Sequence, residues 1–348
     1  MVPTTMNDDQ AKELGYQQLE ALIQDHIQGE RLLRAAEEIE KLPPERVTEQ
    51  HRQILSTAQD FEASIADLIG DPNQDGSWKK QGESHGKRNT LIYYKVDHQA
   101  RLTCRIETAI EASLLVPLLA VMNESGLYAT WIPSWTIPKL GIYSSEQLEQ
   151  PSRACQTIRL VANVPWPFSQ REVLMKANAV DEIDERHFVA IKMTSKVPAG
   201  GVVPPPSPQM ERIDFEGAML LRPCPRNHEL LLKSRHVYKE PVVLISFKMF
   251  VDPHMTGIPM SLINFVTRTV IGTIWGMFLS VAEDVLSGKR PLHKQAIAEK
   301  KEFYDWMSIR IGILLEKATA KDPMSPLCAD NGVGELEAQK AFISYLQS

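Results

Sequence analysis

The most constraining stretch of this sequence runs from residue 251 to residue 286 and reads VDPHMTGIPMSLINFVTRTVIGTIWGMFLSVAEDVL. A β-strand is predicted to end at Asp252, and a turn containing proline and glycine follows it. Pro259 suits the first position of a helix, because its φ is already helical and that position needs no N–H donor. Only two tolerable glycines interrupt the pattern from Met260 to Leu286, and Gly288 closes it. The sequence therefore predicts one helix of about 28 residues, ~42 Å long.

This helix is predicted to be apolar on nearly every side. Two sets of apolar residues cover most of its surface: Leu262, Ile263, Val266, Val270, Ile274, Met277 and Val281 in one stripe, with Phe265, Ile271, Trp275, Phe278 and Leu279 beside it. A thinner stripe of small or polar residues runs through Ser261, Asn264, Arg268, Gly272, Gly276 and Ser280. Such a helix has to be covered by protein, lipid or ligand, and what covers it is the functional question.

A membrane span is the first alternative for this segment. The residues from Ile263 to Val281 carry a single charge, Arg268, which would cost about 2.5–3.5 kcal/mol at the centre of a bilayer. Asn264 and the threonines weaken that interpretation further. A helix that is buried in the protein or touches a membrane surface is therefore favoured over a true span.

The residues before this helix are predicted to form an antiparallel sheet. Apolar and polar residues alternate with period two in most of the predicted strands, which is typical of a sheet with one buried and one solvent-exposed face. By the same alternation, Arg105 is expected on the exposed face. The predicted strands are Thr90–Val96, Arg101–Ile110, a short one around Leu140, Ala154–Asn163, Glu172–Val180, His187–Lys196, Ile213–Arg222, Glu229–Tyr238 and Val242–Val251. A helix from Ser113 to Asn123 is predicted after the second strand.

One connection within the sheet is unusually long. Val197–Arg212 contains five prolines and two glycines, and loops of this length inside a compact domain are usually functional or disordered. The sequence leaves both interpretations open, a mobile loop at the rim of a site and simple disorder.

Helices are also predicted at both ends of the chain. Gln10–Lys41 and Thr48–Ile69 form a predicted antiparallel pair, which is either a packing appendage or a module that binds a partner protein. Residues 70–89 are interpreted as a linker. The predicted organisation is a disordered start (1–9), the helical pair (10–70), a central α+β domain (78–290), and a C-terminal region (291–348) with a helix from Leu292 to Ala318 and a short one from Gly334 to Leu346.

Charge and motif content argue against several classes of function. The net charge of −6 and a pI near 5.9 argue against a general affinity for nucleic acid. The sequence shows no catalytic motif, metal-ligand spacing or phosphate-binding loop, so neither an enzyme nor a cofactor is expected. The four cysteines form no CxxC pair and are interpreted as reduced, and the N-terminus lacks the apolar core of a signal peptide. A cytoplasmic protein, peripheral at membranes, is therefore expected.

Several short segments, taken in order, resemble one family. They are Tyr93-Tyr94-Lys95-Val96, Thr108-Ala109-Ile110-Glu111-Ala112-Ser113, Trp131, Val164-Pro165-Trp166-Pro167-Phe168-Ser169-Gln170-Arg171-Glu172-Val173, and Val251-Asp252-Pro253 to Asn264. From about residue 78 to residue 288 the chain resembles the steroidogenic-acute-regulatory-related lipid transfer (START) domains, although Glu172 and Val173 replace the family's usual Asp and Phe. The resemblance implies a helix-grip fold, in which a curved antiparallel sheet wraps around a long C-terminal lid helix. It also implies a hydrophobic tunnel that holds one lipid, for intracellular transfer or sensing, and transient contact with a membrane surface.

The expected lining of that tunnel combines the buried strand face with the lid helix. It comprises Ile158, Met175, Ala177, Ile191, Met193, Met219, Ser234, His236, Ile245, Phe247, Asn264, Phe265, Arg268, Trp275 and Phe278. Arg105 and Arg171 are further polar candidates, and a structural hydrogen-bond anchor is the plainer interpretation of Arg171. Sterol-binding members of the family resemble one another in a buried acid–base pair, and the positions that match it here, Ile158 and Ala177, are both apolar. A phospholipid or another lipid is therefore expected before a sterol.

A regulatory or scaffold protein is the competing hypothesis. In that case the terminal helices would bind a partner protein while the central domain senses a ligand. Deleting Met1–Ile69 would separate the two hypotheses, because a transfer protein should keep its lipid binding whereas a scaffold should lose its partner.

Overall fold

A ten-stranded sheet is the largest element of the computed structural model, which describes residues 8–72, 76–85, 88–97, 101–195, 209–234, 238–254, 257 and 259–320. The strands are β1 (Lys79–His85), β2 (Asn89–Val96), β3 (Leu102–Glu111), β4 (Gly141–Ser152), β5 (Cys155–Asn163), β6 (Gln170–Glu182), β7 (Phe188–Thr194), β8 (Met210–Arg212), β9 (Asp214–Pro223) and β10 (Val242–Asp252). Their order is β1-β2-β3-β10-β9-β7-β6-β5-β4, all antiparallel, and β8 pairs in parallel with the start of β6. Because β10 lies inside the sheet, the helix that follows it starts near the middle of one face.

Nine helices accompany the sheet in the described part of the chain. They are α1 (Asp8–Gln28), α2 (Leu32–Ile39), α3 (Glu49–Ile69), α4 (Leu115–Asn123), α5 (Glu229–Leu232), α6 (Met260–Phe265), α7 (Ile271–Leu286), α8 (Pro291–Glu299) and α9 (Lys301–Ala320). The expectations for residues 1–7, for most of the Val197–Arg212 loop and for a helix from Gly334 to Leu346 lie outside the described residues.

Most of the predicted strands are confirmed, and two assignments are wrong. Residues 79–85 were expected in a linker but form β1, which pairs with β2 at the edge of the sheet; an edge strand tolerates a polar sequence. The predicted strand Glu229–Tyr238 begins instead with the single turn of α5. Its start is fixed by the His228 side chain, which accepts a hydrogen bond from the Leu230 N–H at 3.3 Å.

The two faces of the sheet are covered by different helices. Along β10, Val243, Ile245 and Phe247 point to the inner face, where α7 packs, and Leu244 lies on the opposite, outer face. The prediction that one face of the sheet is exposed to solvent is wrong for the centre of the sheet. Outer-face residues there are buried under α2 and α3, in a cluster of Leu33, Ala36, Ala58, Phe61, Ile65, Leu68, Val180, Phe188, Ala190 and Leu220. The sheet is therefore the middle layer of three.

The N-terminal helices differ from the predicted pair at one point. The predicted helix Gln10–Lys41 breaks into α1 and α2, because Glu30 adopts a left-handed backbone conformation with φ 58°. Thr48 caps α3 as a short polar residue should, since its side chain accepts a hydrogen bond from the His51 N–H at 3.2 Å. The break lets α2 turn back and pack with α3 on the sheet.

Arg105 anchors the end of α3 to the outer face. The alternation in the sequence predicts Arg105 on the exposed face of the sheet, but Arg105 is only 4% exposed. Its guanidinium donates to the carbonyl oxygens of Asp67 and Leu68, each at 2.8 Å, and to Glu107 Oε1. Glu107 also faces His228 Nε2 at 3.3 Å. Burial opposes ionisation of Glu107, but His228 and Arg105 together hold its pKa below the usual value.

Glu182 is a buried carboxyl group at the same interface. Both of its oxygens lack a hydrogen-bond partner among the described residues, and its nearest cation is Arg34, at 3.5 Å from Nε to Oε2. Burial raises the pKa of Glu182 from 4.5 to about 7, because the opposing effects of Arg34 and Arg186 are smaller. The folded state therefore holds this proton at a pH where the unfolded chain has released it.

Replacing Glu182 with Gln should stabilise the protein at pH 8 and leave its stability nearly unchanged at pH 4.5. A folded-state pKa above the unfolded value adds stability below about pH 4.5, and that stability is lost as the pH rises through about 7. Between pH 4.5 and pH 8 the free energy of unfolding of the wild type should fall by on the order of 2–3 kcal/mol relative to that of the variant. Urea unfolding of both proteins across this range measures the difference. Glu185→Gln, at an exposed neighbour, is the control, and equal pH dependence in all three proteins would contradict the account.

The inner face is covered by α4, α7 and α9, and α4 contacts both of the others. The helix predicted from Met260 to Leu286 is confirmed as one helix, in which a turn of π-helix, Val266–Val270, lies between α6 and α7; Pro259 is its N-cap rather than its first helical residue. The predicted helix Leu292–Ala318 divides into α8 and α9 at Lys300. A sheet that holds a long C-terminal helix against one face confirms the α+β helix-grip fold.

Candidate functional site

The main cavity, of about 350 Å³, lies between the inner face of the sheet and the lid, a name we give to residues 260–286. Within the described part of the chain, its walls contain one charged side chain, Arg171, and one hydroxyl, that of Thr267. The other lining residues are Leu102, Ile106, Leu140, Ala162, Val164, Pro165, Ile213, Phe247, Met249, Val251, Pro253, Leu262, Ile263, Val266, Val270, Ile271, Ile274 and Trp275. A space of this size and polarity fits the range of 300–1,000 Å³ of small-molecule sites.

Two periodicities in the sequence build this cavity. Alternate residues of β3 and β10 point inward, so that Ile106 and Phe247 are direct partners across the two strands. The lid contributes Val266, Val270 and Ile274, spaced four residues apart and therefore on one helical face.

The π-helical turn of the lid lies over the main cavity. Its buried Thr267 hydroxyl, in a residue 1% exposed, donates to the Ile263 carbonyl oxygen at 2.9 Å. Gln81 of β1 donates from Nε2 to the Arg268 carbonyl oxygen at 2.7 Å, and so supplies a partner where the α-helical pattern is interrupted. Turns of this kind are frequent at functional sites, and here one divides the lid into α6 and α7.

A buried hydrogen bond fastens the lid to the sheet. The indole Nε1 of Trp275 donates to Thr108 Oγ1 at 2.7 Å, and the Thr108 hydroxyl donates in turn to Thr90 Oγ1 at 3.1 Å. The indole ring also stacks on Phe247, with 5.8 Å between ring centroids. Trp275 is thus held by one polar and one apolar contact at the wall of the main cavity.

Replacing Thr108 with Val should destabilise the protein by about 1–3 kcal/mol. The side chain keeps its shape, but the Trp275 N–H is left buried without a partner. Urea unfolding measures the loss. Thr90→Val is the matched control, because it removes the outer hydrogen bond and leaves the one to the lid. A cost for Thr108→Val no greater than that of the control would mean that this bond does not hold the lid.

A row of aromatic rings leads from the main cavity to a second one. Phe247, Trp275, Phe278, Trp131 and Tyr128 follow one another with centroid distances of 5.8, 5.4, 6.0 and 5.7 Å. The first two rings line the main cavity and the last lines the second cavity.

The second cavity, of about 120 Å³, lies further along the inner face. Its walls come from β5, β6 and β7 together with Leu119 and Met122 of α4 and Phe303, Trp306 and Met307 of α9. Arg310 ties α9 to the sheet, since its Nη2 donates to Asp181 Oδ1 at 2.9 Å. The C-terminal helix is therefore a wall of the inner-face cavities, a role that the sequence analysis missed.

Besides the charged residues Glu30, Arg153, Asp181 and Arg310, a phenol and a thiol line the second cavity, and both stay neutral at physiological pH. Burial raises the pKa of the Tyr128 hydroxyl, and the Glu124 carboxylate raises it further. Burial is also the main cause that raises the pKa of the Cys155 thiol. Tyr128 donates to the Met122 carbonyl oxygen at 2.6 Å, so the hydroxyl is a structural contact.

The predicted lining residues divide between the two cavities. Phe247 and Trp275 line the main cavity, whereas Ile158, Ala177, Ile191 and Met193 line the second. Met219, Ile245 and Phe278 belong to the inner-face core that contains both, and Met175 packs beside Ile158. All of these side chains lie on the inner face, as expected, and none of them shows what the cavities bind.

Four other predicted lining residues, among those that the structure describes, are not brought to the cavities. Asn264 and Arg268 are exposed on the lid, and Phe265 packs against Trp135 at 6.0 Å between ring centroids. Ser234 follows α5, which packs on the outer face, because the predicted strand there is absent. His236 lies outside the described residues.

The exposed side of the lid is the stripe of small and polar residues. Ser261, Asn264, Arg268, Thr273, Gly276 and Ser280 are exposed, so the apolar stripes face protein and cavity. In the part of the chain that the structure describes, residues 261–286 form the one helix long and apolar enough to cross a membrane, and 44% of its most apolar window is buried. Core helices of soluble proteins share these properties. No group of three or more His, Cys, Asp or Glu that could hold a metal ion occurs among those residues.

Comparison with known proteins finds similarity in solved structures alone. No family model and no curated protein matches the sequence. Human STARD10 is 14% identical with a TM-score of 0.45, over 68% of this chain and 82% of that one. Human StAR-related lipid transfer protein 5 is 12% identical with a TM-score of 0.46, over 66% and 97%. A STAR-related lipid transfer protein fragment from Xanthomonas axonopodis is 19% identical with a TM-score of 0.42, over 59% and 98%. These similarities concern the fold.

Proposed function

We propose that the protein binds one lipid in the main cavity, for transfer between membranes or for sensing. The observation that supports this proposal is the composition of the cavity wall, in which the described residues are apolar except for Arg171 and Thr267. A core cavity of about 150 Å³ accommodates the six carbons of benzene, so this one corresponds to on the order of fourteen carbon atoms. At ~0.8 kcal/mol for each methylene removed from water, a chain of that length gains roughly 11 kcal/mol.

The proposed lipid is one other than a sterol. By the resemblance, Ile158 and Ala177 match the positions where the family's sterol binders have an acid–base pair, and both are apolar residues that line the second cavity, beside the main one on the inner face. A charged pair at those positions would favour a hydroxylated ring system. Its replacement by two apolar side chains favours a flexible chain instead.

Two exposed apolar loop tips adjoin the main cavity and support contact with a membrane. Ile137 is 91% exposed at the tip of a loop that Trp135 and Leu140 close by two backbone hydrogen bonds, of 2.7 and 3.1 Å. Trp166 is also 91% exposed, and follows Pro165 in a turn closed by the Phe168 N–H. Leu140 and Pro165 both line the cavity. Tryptophan is enriched where proteins meet the membrane interface, so we propose that these tips bring the cavity to the bilayer.

Replacing Ile137 and Trp166 together with Ser should slow lipid transfer between vesicles at least ~10-fold. Full burial of either side chain would contribute about 1.5–3 kcal/mol, so partial insertion of both already exceeds one factor of ten. The measurement is transfer of a fluorescent long-chain lipid from donor to acceptor vesicles, alongside vesicle co-sedimentation.

The matched control replaces two exposed apolar residues away from the main cavity, Leu232 and Ile309, with Ser. Equal rates for both double variants would contradict the assigned membrane contact. Failure of the wild type to take up any lipid would contradict the proposed function itself.

The regulatory hypothesis stays a prediction. The terminal helices contact the sheet and α4 extensively, through the outer-face cluster under α2 and α3 and through α9 at the second cavity. These contacts support a packing role for both ends. Because α2 and α3 bury the outer face of the sheet, the deletion of residues 1–69 separates the hypotheses only if the shortened protein is first shown to fold.

A further inference from the structure

Among the described residues that line the main cavity, Arg171 is the one with a charged side chain. It stands at the start of β6, and its side chain is only 3% exposed. A buried guanidinium beside a largely apolar space is costly unless its N–H groups have partners. The arrangement of those partners determines which N–H group of Arg171 can bind a ligand.

Three hydrogen bonds fix the guanidinium in place. Its Nε donates to the Pro253 carbonyl oxygen at 3.0 Å, and its Nη1 donates to the carbonyl oxygen and the hydroxyl of Ser169, both at 2.9 Å. These partners are neutral, and they hold the plane of the group between the end of β10 and the start of β6. Nε and Nη1 therefore position the charge and do not neutralise it.

The counter-ion is on the other nitrogen and is open to solvent. Nη2 lies 3.0 Å from Glu211 Oε2, and the Glu211 side chain is 46% exposed. Glu211 stands on the short strand β8, directly paired with Arg171, and is not a lining residue of the cavity. Because water can solvate Glu211 alone, its pairing with Nη2 is replaceable, whereas the other three hydrogen bonds are internal to the fold.

We infer that the ligand is a single-chain lipid with a carboxylate head group, held by Nη2 of Arg171 in competition with Glu211. This inference rests on the proposed function and specifies its ligand. A cavity equivalent to on the order of fourteen carbon atoms fits one acyl chain and not two. A carboxylate in an apolar site needs a cation with directed N–H donors, and a fixed guanidinium supplies both. A neutral head group would leave Arg171 paired with Glu211 and gain nothing from the charge.

Three ligands of equal chain length test this inference: tetradecanoic acid, tetradecan-1-ol and methyl tetradecanoate. Binding to the full-length protein is measured by isothermal titration calorimetry at pH 7.4. The wild type should bind the acid at least ~10-fold tighter than the alcohol or the ester, as expected for a charge-assisted hydrogen bond. Replacing Glu211 with Gln should widen this preference by a further factor of about 10, because it removes the competing carboxylate.

Glu146→Gln, which changes another exposed carboxylate of the sheet, is the matched control and should leave the preference unchanged. Arg171→Gln should abolish the preference for the acid. If Arg171→Gln does not fold, the effect of Glu211→Gln on the preference still tests the inference. Equal affinities for acid and alcohol, unaffected by Glu211→Gln, would overturn the carboxylate inference and leave the proposed lipid binding intact. Absence of binding for all three ligands would overturn both.

Discussion

Replacing Val251 and Ile274 together with Trp is expected to abolish lipid binding while the protein remains folded. Both residues line the main cavity, one from β10 and one from the lid. The two substitutions add about thirteen non-hydrogen atoms to a space that corresponds to on the order of fourteen carbon atoms. Little room then remains for a chain, so affinity should fall by more than ~100-fold, which corresponds to the loss of about four buried methylenes. Thermal stability should be unchanged or higher, since filled space restores contacts to the cavity wall.

The matched control places tryptophans on the exposed stripe of the lid, at Thr273 and Ser280. It adds the same side chains to the same helix without entering the cavity, so lipid binding should persist. Lipid affinity is measured by titration with a fluorescent fatty acid, and folding is checked by circular dichroism. Retained affinity in the cavity-filling variant would place the lipid elsewhere.

Replacing Arg105 with Met is expected to cost about 3–5 kcal/mol of stability, the largest loss among the polar contacts of the sheet. The substitution leaves Glu107 buried with only His228 as partner, and leaves the Asp67 and Leu68 carbonyl oxygens at the end of α3 without their donor. Removing one member of a buried ion pair costs this much because the other charge stays behind. Urea unfolding measures the change, and α3 should become susceptible to proteolysis before the sheet does.

Two further variants test the explanation for the stability loss of Arg105→Met. Adding Glu107→Gln to Arg105→Met should recover part of the loss, since the stranded charge is gone. Arg101→Met breaks a half-exposed pair with Asp97 and should cost less than about 1 kcal/mol. A loss for Arg105→Met as small as that of Arg101→Met would mean that the outer-face anchor contributes little.

Local patterns predicted the parts of this fold that depend on neighbours in sequence. Alternation along β9 and β10 placed Met219, Ile245 and Phe247 on the inner face, where the structure has them. The spacing of apolar residues also predicted that Trp275 lines the site between lid and sheet, where the structure has it. The same spacing grouped Asn264 and Arg268 into one polar stripe, but their prediction as lining residues is wrong, because the structure exposes them. The correct predictions follow from the fixed periods of strands and helices, 2 and 3.6 residues.

The errors arose where contacts join distant residues. The prediction for Arg105 failed because α3, separated from it by 37 residues at Leu68, covers the outer face. Ser234 was misplaced because a helical turn starts where apolar residues suggested a strand. The second cavity needs α9, whose Phe303 and Met307 meet β-strands far earlier in the chain. Neither the periodicity of apolar residues nor the composition of a segment predicts such contacts between distant parts of the chain.

Native mass spectrometry of the purified protein, followed by lipid extraction and identification, tests the central claim most directly. The account predicts one lipid for each chain, with a single acyl chain and an acidic head group, and its absence from the Val251→Trp, Ile274→Trp variant. A protein that carries no lipid after purification, and takes up neither fatty acid nor phospholipid from vesicles, would contradict the claim that the main cavity is a lipid site.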